Sequence, residues 1–288
     1  MGTFRDRMDR DLQIRGYSLN TRKSYLGYVK DFVRYFMLPP DQLTLEHIHK
    51  YQLHLTKERK VAWGTFNQAV CALRFFYAFT MEKDWDIRHI PYQKTGRRLP
   101  EILSRAEVKA LFDVTTNIKH RALLMTMYSG GIRPEEVTNL RVTDIDSQRM
   151  MIRIEQGKGR KDRYVMLSKE VLLVLRDYWK KCKPEDWLFP GQIPGRSLDR
   201  SSVQRIFKQA KQKAKITKPC TTYSMRHSFA THLLEDGTNI RVIQRLLGHK
   251  SLRTTEVYTH VAETYVSDTP SPIDRLGSDK KPKGRGKK

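Results

Sequence analysis

Four short stretches in the later part of the chain gather the residue types that can grip and open a phosphate ester. They are "GIRPEE" with Arg133, "GKGRKD" with Lys158, "SMRHSFATHLL" with Arg226, and "LLGHKSLRTTEVYTH" with His249 and Tyr258. Attack of a side chain on a phosphodiester needs a nucleophile, an acid for the leaving oxygen, and cations around the phosphate. A tyrosine hydroxyl, with a pKa near about 10, is mostly protonated at neutral pH; surrounding positive charge lowers that value. Arginine suits the clamp because its planar fork binds two oxygens at once and stays protonated. No acidic cluster suggests a magnesium site, so the expected transfer is metal-free and needs no cofactor.

Each residue alone has a plainer reading. Arg133 beside Glu135 and Glu136 could be a surface ion pair, and Lys158 could simply be solvated in its glycine-rich turn. His249 beside Gly248 could be a helix-terminal residue favoured by the dipole. Tyr258, with Val257 and Val261 near, could be a core tyrosine. His227 reads as a buried, satisfied histidine and Tyr223 as structural.

These side chains need elements to hold them. In "CTTYSMRHSFATHLLEDG" (220–237), Met225, Phe229 and Leu233 form the stripe of an amphipathic helix, which would dock on the core and leave Arg226 at its rim. "SRAEVKALFDV" carries a capping box, Ser104 with Glu107. "HRALLMTMYSGGIRPEEVTNL" predicts a helix, a break at Gly130–Gly131, and a new helix beginning at Pro134. "MMIRIEQGKGRKDRYVML" predicts a hairpin with Lys158 at or near its tip. "KEVLLVLRDYWKKC" and "SSVQRIFKQAKQKAKI" are helical. "TNIRVIQRLLGHKS" is a short helix ended by Gly248, and "SLRTTEVYTHVA" is another, capped by Ser251.

Residues 1–92 read as a separate helical unit. Ser18 or Asn20 caps a helix with Tyr25, Tyr28, Val29, Phe32 and Phe36; "PPDQLTLEHIHKYQLHLTKER" opens a second; Phe66, Val70, Leu73 and Tyr77 stripe a third. "EHIHKYQLH" offers His47, His49 and His54, but His47 and His49 point to different helix faces and no cysteine is near, so a solvated or DNA-facing role outweighs a metal site. Residues 93–100, basic and proline-bearing, are the expected linker. A domain over 101–266 follows, then a basic, partly disordered tail over 267–288.

The chain has 288 residues, enough for two domains, and 39% apolar residues, enough for a core in each. Its formal charge of +24 calls for a polyanionic partner, nucleic acid before a membrane surface. Residues 1–92 hold 15 Lys+Arg against 10 Asp+Glu, and the rest hold 40 against 21, so the burden lies mainly in the second part. The start "MGTFRDRMDRDLQ" lacks the apolar core of a signal peptide, and no run approaches a membrane span. Cys71, Cys182 and Cys220 form no CxxC, which fits a reducing, cytoplasmic setting.

Taken in this order and at these intervals, the four stretches resemble the tyrosine recombinase (phage integrase) family, and "NTRKSYLGYVKDF" resembles its core-binding domain. The resemblance covers residues 8–262. It implies a mainly α fold with a small β-sheet: an N-terminal helical, SAM-like core-binding domain and a C-terminal catalytic domain. It implies Tyr258 as nucleophile, forming a 3′-phosphotyrosyl link. Arg133 and Arg226 would clamp the phosphate, Lys158 would give a proton to the 5′-oxygen, His249 would hydrogen-bond the phosphate, and Glu136 would buttress Arg133. It also implies double-stranded DNA as partner, with no small-molecule substrate, and a homotetramer on two DNA sites in which "VAETYVSDTPSPIDRL" docks on a neighbour.

One position departs from the pattern. The family usually has histidine three residues before the second arginine; here Tyr223 stands there, a poor proton shuttle near neutral pH. The expected function is site-specific integration or excision of a mobile element. The alternative is a recombinase-derived DNA-binding protein impaired through Tyr223, with a related topoisomerase as a weaker third. The chain resembles two-domain Xer members. "ITKP" and "SPIDRL" are similar to integron integrases, but 187–223 is too short for the insertion those carry.

Overall fold

Met8 and Leu12, one turn apart, are the buried residues of the first helix, α1 (Gly2–Ile14), whose remaining surface is mostly charged or polar. The computed structural model describes residues 2–94, 99–155 and 162–260, and divides into two compact units, Met1–Arg97 and Arg98–Lys288. In the first unit α2 (Leu19–Phe36) is capped by Ser18, whose hydroxyl accepts from Thr21 N at 3.2 Å; Asn20 lies inside the helix. Val29 and Phe32 are its buried positions, with Tyr25, Tyr28 and Phe36 half-buried beside them. Helix α3 (Leu45–Leu53) and α4 (Trp63–Phe75) each run on into a single wider π turn, His54–Glu58 and Phe76–Thr80. Phe66, Val70, Leu73 and Tyr77 recur every three or four residues and all are buried.

Aromatic rings fill this core edge to face, Phe32 against Tyr51 (5.2 Å) and Tyr77 (6.3 Å). The three histidines go to three separate partners: His47 Nδ1 to Thr44, His49 Nε2 to His89 O, and His54 Nδ1 to Glu58. The chain then stays pinned to α4: Arg74 donates to Ile90 O, and Asn67 exchanges two hydrogen bonds with Gln93. Of the linker expected over 93–100, residues 95–98 lie outside the described residues.

The second unit begins with α5 (Arg105–Asp113), where Ser104 Oγ accepts from Glu107 N and Glu107 Oε2 accepts from Ser104 N, the capping box seen in the sequence. Next come α6 (Ile118–Ser129) and, after the Gly130–Gly131 break, α7 (Pro134–Thr138) with proline at its first position. A three-stranded antiparallel sheet follows, in the order β1 (Ile145–Asp146), β2 (Met151–Ile154), β3 (Arg163–Met166). Strands β2 and β3 are the predicted hairpin; its turn, residues 156–161, lies outside the described residues. The two-residue β1 gives no periodic signal and is not visible in the sequence.

Helices α8 (Lys169–Cys182), α9 (Arg200–Lys213), α10 (Thr222–Glu235) and α11 (Ile240–Leu247) complete the unit. Gly248 ends α11 at φ 64°, in the left-handed region where glycine is favoured. Residues 251–260 depart from expectation. Instead of one capped helix they form two tight 3₁₀ turns, Leu252–Thr254 and Glu256–His260. Ser251 makes no side-chain cap, and the backbone bonds run over three residues, Thr255 N to Leu252 O and Tyr258 N to Thr255 O. β-Branched Thr254, Thr255, Val257 and Thr259 disfavour a longer α-helix. The segment 261–276 and the tail 267–288 lie outside the described residues.

Candidate active site

The site is organised around a buried carboxylate. Arg133 precedes α7 in an extended conformation, which brings Glu136, three residues on, back to it. Glu136 Oε2 accepts from Arg133 N (2.9 Å), and Oε1 accepts from the Arg133 guanidinium (2.6 Å). Both oxygens also accept from Arg163, at 2.9 and 2.6 Å, in the two-pronged geometry that arginine favours. Arg163 reaches inward because it pairs with Ile154 in the β2–β3 register and shares a face with buried Val165. Its Nε donates to Leu246 O at the end of α11 (2.9 Å). Burial pushes the Glu136 carboxyl up, but Arg163 and Arg133 outweigh it and hold the pKa near about 2.

Arg226 was expected at a helix rim and is instead only 4% exposed. The reason is that α10 is no half-apolar surface helix: ten of its residues, Thr222 to Leu234, are buried, including Ser224, Ser228 and Thr231. The guanidinium donates to Gly131 O after α6 and to Leu247 O at the end of α11, and so joins three elements. It also lies 3.2 Å from His249 Nε2. Burial first, then the charge of Arg133, pushes its pKa down to about 9, which leaves it charged at neutral pH.

A guanidinium can only donate, so His249 Nε2 accepts and the ring proton sits on Nδ1, 3.0 Å from Thr255 Oγ1. Burial, then Arg226 and Arg133, lowers the His249 pKa to about 3. Tyr258 is 2% exposed, its ring packed among Phe229, Ala230, Leu234, Ile243 and Leu247. Its hydroxyl lies 3.1 Å from His227 Nδ1. Burial raises the phenol pKa, opposed by the charges of Arg226 and Arg133.

The fold thus brings Arg133, Arg226, His249 and Tyr258 together from three segments far apart in sequence; the charge of Arg133 bears on each of the other three. Lys158 lies outside the described residues. Tyr223 is half-buried with Arg200 5.9 Å above its ring, while Arg200 pairs with Glu135 (2.7 Å). Among the described residues no group of three or more His, Cys, Asp or Glu is placed to hold a metal ion.

Two contacts of the site have no signal in the sequence. Arg163 is one basic residue among several in "GKGRKDRY", and only strand register singles it out. His227 is half-buried and hydrogen-bonded, a satisfied histidine as expected; that its partner is Tyr258, 31 residues away, has no local signal.

The histidines predict an acid response. His227 and His249 have pKa values lowered to about 4 and about 3, burial first and Arg226 next in both cases. Below pH 6.5 the unfolded chain takes up these protons and the folded chain does not, so stability falls with pH from about 6.5 toward 4. Urea midpoints measured across this window should fall less steeply in His249→Gln than in the wild type; equal slopes would refute the assignment.

The profile of the phage integrase family matches residues 101–264, and that of the phage integrase N-terminal SAM-like domain matches residues 4–87. A putative integrase/recombinase, y4qK of Sinorhizobium fredii, is 46% identical over 277 residues, covering 96% of this chain and 90% of that protein. Tyrosine recombinase XerD of Oceanobacillus iheyensis is 33% identical over 276 residues, covering 88% and 92%. The crystal structure of XerH recombinase bound to its palindromic difH substrate shares the fold, with TM-score 0.74 at 20% identity over 91% of this chain and 81% of that one. The chain belongs to the phage integrase family, as a tyrosine-type site-specific DNA recombinase.

Proposed function

We propose that the chain cuts and rejoins double-stranded DNA through Tyr258, to integrate or excise a mobile element. The observation that carries this reading is the convergence of a tyrosine hydroxyl with Arg133, Arg226 and His249 in one buried, cationic site. In this reading Tyr258 Oη attacks the phosphorus and the bond to the 5′-oxygen breaks. The 3′-phosphate stays on Tyr258, and the departing oxygen takes its proton from Lys158. A 5′-hydroxyl from another strand reverses the sequence and seals the joint. Arg133 and Arg226 balance the charge that grows on the non-bridging oxygens. Glu136 holds Arg133 and does not react.

Residues 1–92 would form the core-binding domain, 101–266 the catalytic domain, and 267–288 a basic tail adding affinity that salt weakens. Four protomers on two DNA sites, acting in the cytoplasm, complete the proposal. The relatives named as integrase/recombinase support a mobile-element role over chromosome resolution.

The test is an SDS-stable adduct with a nicked suicide duplex carrying the core site, found in the DNA beside the gene or selected from a random pool by the full-length protein. The wild type is expected to form the adduct and Tyr258→Phe none, with binding kept. Site-specific binding by the wild type without an adduct would support the binder reading; Tyr223→His would then show whether that residue is the cause.

A further inference from the structure

We propose that His227 accepts the phenolic proton of Tyr258 as the tyrosine attacks, and is therefore a catalytic residue. This rests on the reading of Tyr258 as the nucleophile. The position where the family usually has histidine is held by Tyr223, which lies under Arg200 rather than at Tyr258. His227, one residue after the phosphate-clamping arginine, has its Nδ1 3.1 Å from Tyr258 Oη, within reach of direct proton transfer. Among the described residues it is the only hydrogen-bond partner of that oxygen. The two rings lie 5.7 Å apart at 50°, so the contact comes from two packed side chains on different elements, α10 and the last 3₁₀ turn.

The alternatives nearby are poorly placed for the task. Arg226 and Arg133 carry no lone pair to accept a proton. His249 turns its accepting nitrogen to Arg226 and its other nitrogen to Thr255. Among the described titratable groups at the site, only His227 faces the phenol with a nitrogen that can accept.

Electrostatics couples this acceptor to the substrate. In the protein alone, burial and the neighbouring Arg226 charge keep His227 neutral, so its lone pair is free. A phosphodiester bound at Arg226 brings a negative charge beside it, which offsets that repulsion and makes the imidazole more basic when the proton must move. The proton balance closes. The phenolic hydrogen passes to Nδ1 as the O–P bond forms, and the bond to the 5′-oxygen breaks with a proton from a separate donor. In the reverse step imidazolium returns the proton to Tyr258 as the phosphotyrosyl bond opens.

The experiment uses the full chain and the same suicide duplex, with His227→Asn and His227→Gln. Asn places an amide near the Nδ1 position, so it can keep a hydrogen bond to Tyr258 yet cannot take up a proton. The variant read is the one that melts and binds DNA as the wild type does. Single-turnover adduct formation is expected to fall about 100-fold. The defect should persist on a duplex with sulfur in place of the bridging 5′-oxygen, whose leaving group needs no acid; that substrate should restore Lys158→Ala. A wild-type rate in His227→Asn would overturn the proposal, as would restoration of its rate by the sulfur substrate. Tyr258→Phe run in parallel separates the two levels, since an adduct there would remove the tyrosine reading itself.

Discussion

Glu136→Ala should lower stability by about 3–5 kcal/mol and abolish adduct formation, because it leaves two buried guanidiniums facing one another with no anion between them. The Glu136, Arg163 and Arg133 side chains are 8%, 11% and 16% exposed, so solvent cannot replace the carboxylate. The same oxygens join the start of α7 to β3, and Arg163 carries the link on to Leu246, so the loss spreads across the site. Glu136→Gln keeps the shape and half the hydrogen bonding, and should fall in the same direction by less.

The pH dependence has a definite sign. The folded carboxyl titrates near about 2 against 4.5 for the free group, so its contribution is complete above 4.5 and disappears as pH falls through 2. That contribution amounts to about 3 kcal/mol, and its window overlaps the lower end of the histidine window and extends below it. Urea midpoints at pH 7 and pH 3 measure both effects. A Glu136→Ala protein with the wild-type midpoint at pH 7 would show that the carboxylate does not hold the arginines.

Gly131→Ala should cost at least about 3 kcal/mol. Gly131 sits at φ 56°, and an added Cβ would lie 2.4 Å from Phe229 Cδ1 and 3.0 Å from Leu247 Cδ2. Phe229 belongs to the cluster around Tyr258 and cannot swing aside without moving it. Gly131 O also accepts from Arg226, so the backbone shift would disturb the clamp directly. Gly16→Ala is the matched control: φ is 71° there, but nothing lies within 4 Å of the added carbon. It should cost about 1 kcal/mol, the conformational part alone. Equal losses in chemical denaturation would mean that packing at Gly131 is not tight.

What the sequence revealed depended on how far apart the deciding residues lie. Local signals were legible: Ser104 with Glu107, Pro134 opening α7, Gly248 closing α11, and the Phe66–Tyr77 stripe. The four recombinase motifs were legible because several residue types recur in a fixed order. Helix α1 was not singled out, since only Met8 and Leu12 face inward among charged neighbours. Burial of Arg226 was hidden because Ser224, Ser228 and Thr231 look like a solvent face; in the fold Ser228 Oγ accepts from Leu103 N and donates to Ser224 O. Arg163 and His227 take their roles from a strand register and from a contact across 31 residues, and neither leaves a local trace.

The two 3₁₀ turns that carry Tyr258 have a mechanical consequence. Their backbone hydrogen bonds close on themselves: Thr254 on Ser251, Thr255 on Leu252, Tyr258 on Thr255. Among the described residues, the segment is fastened to the rest of the unit by side chains, chiefly Thr255 to His249 and Tyr258 to His227 and its apolar pocket. It is a loop fastened by side chains rather than a woven strand. Among the described residues no main-chain bond ties it to the scaffold, so the placement of the tyrosine is set by these side-chain contacts, the one to His227 among them, independently of the contacts that hold the arginines.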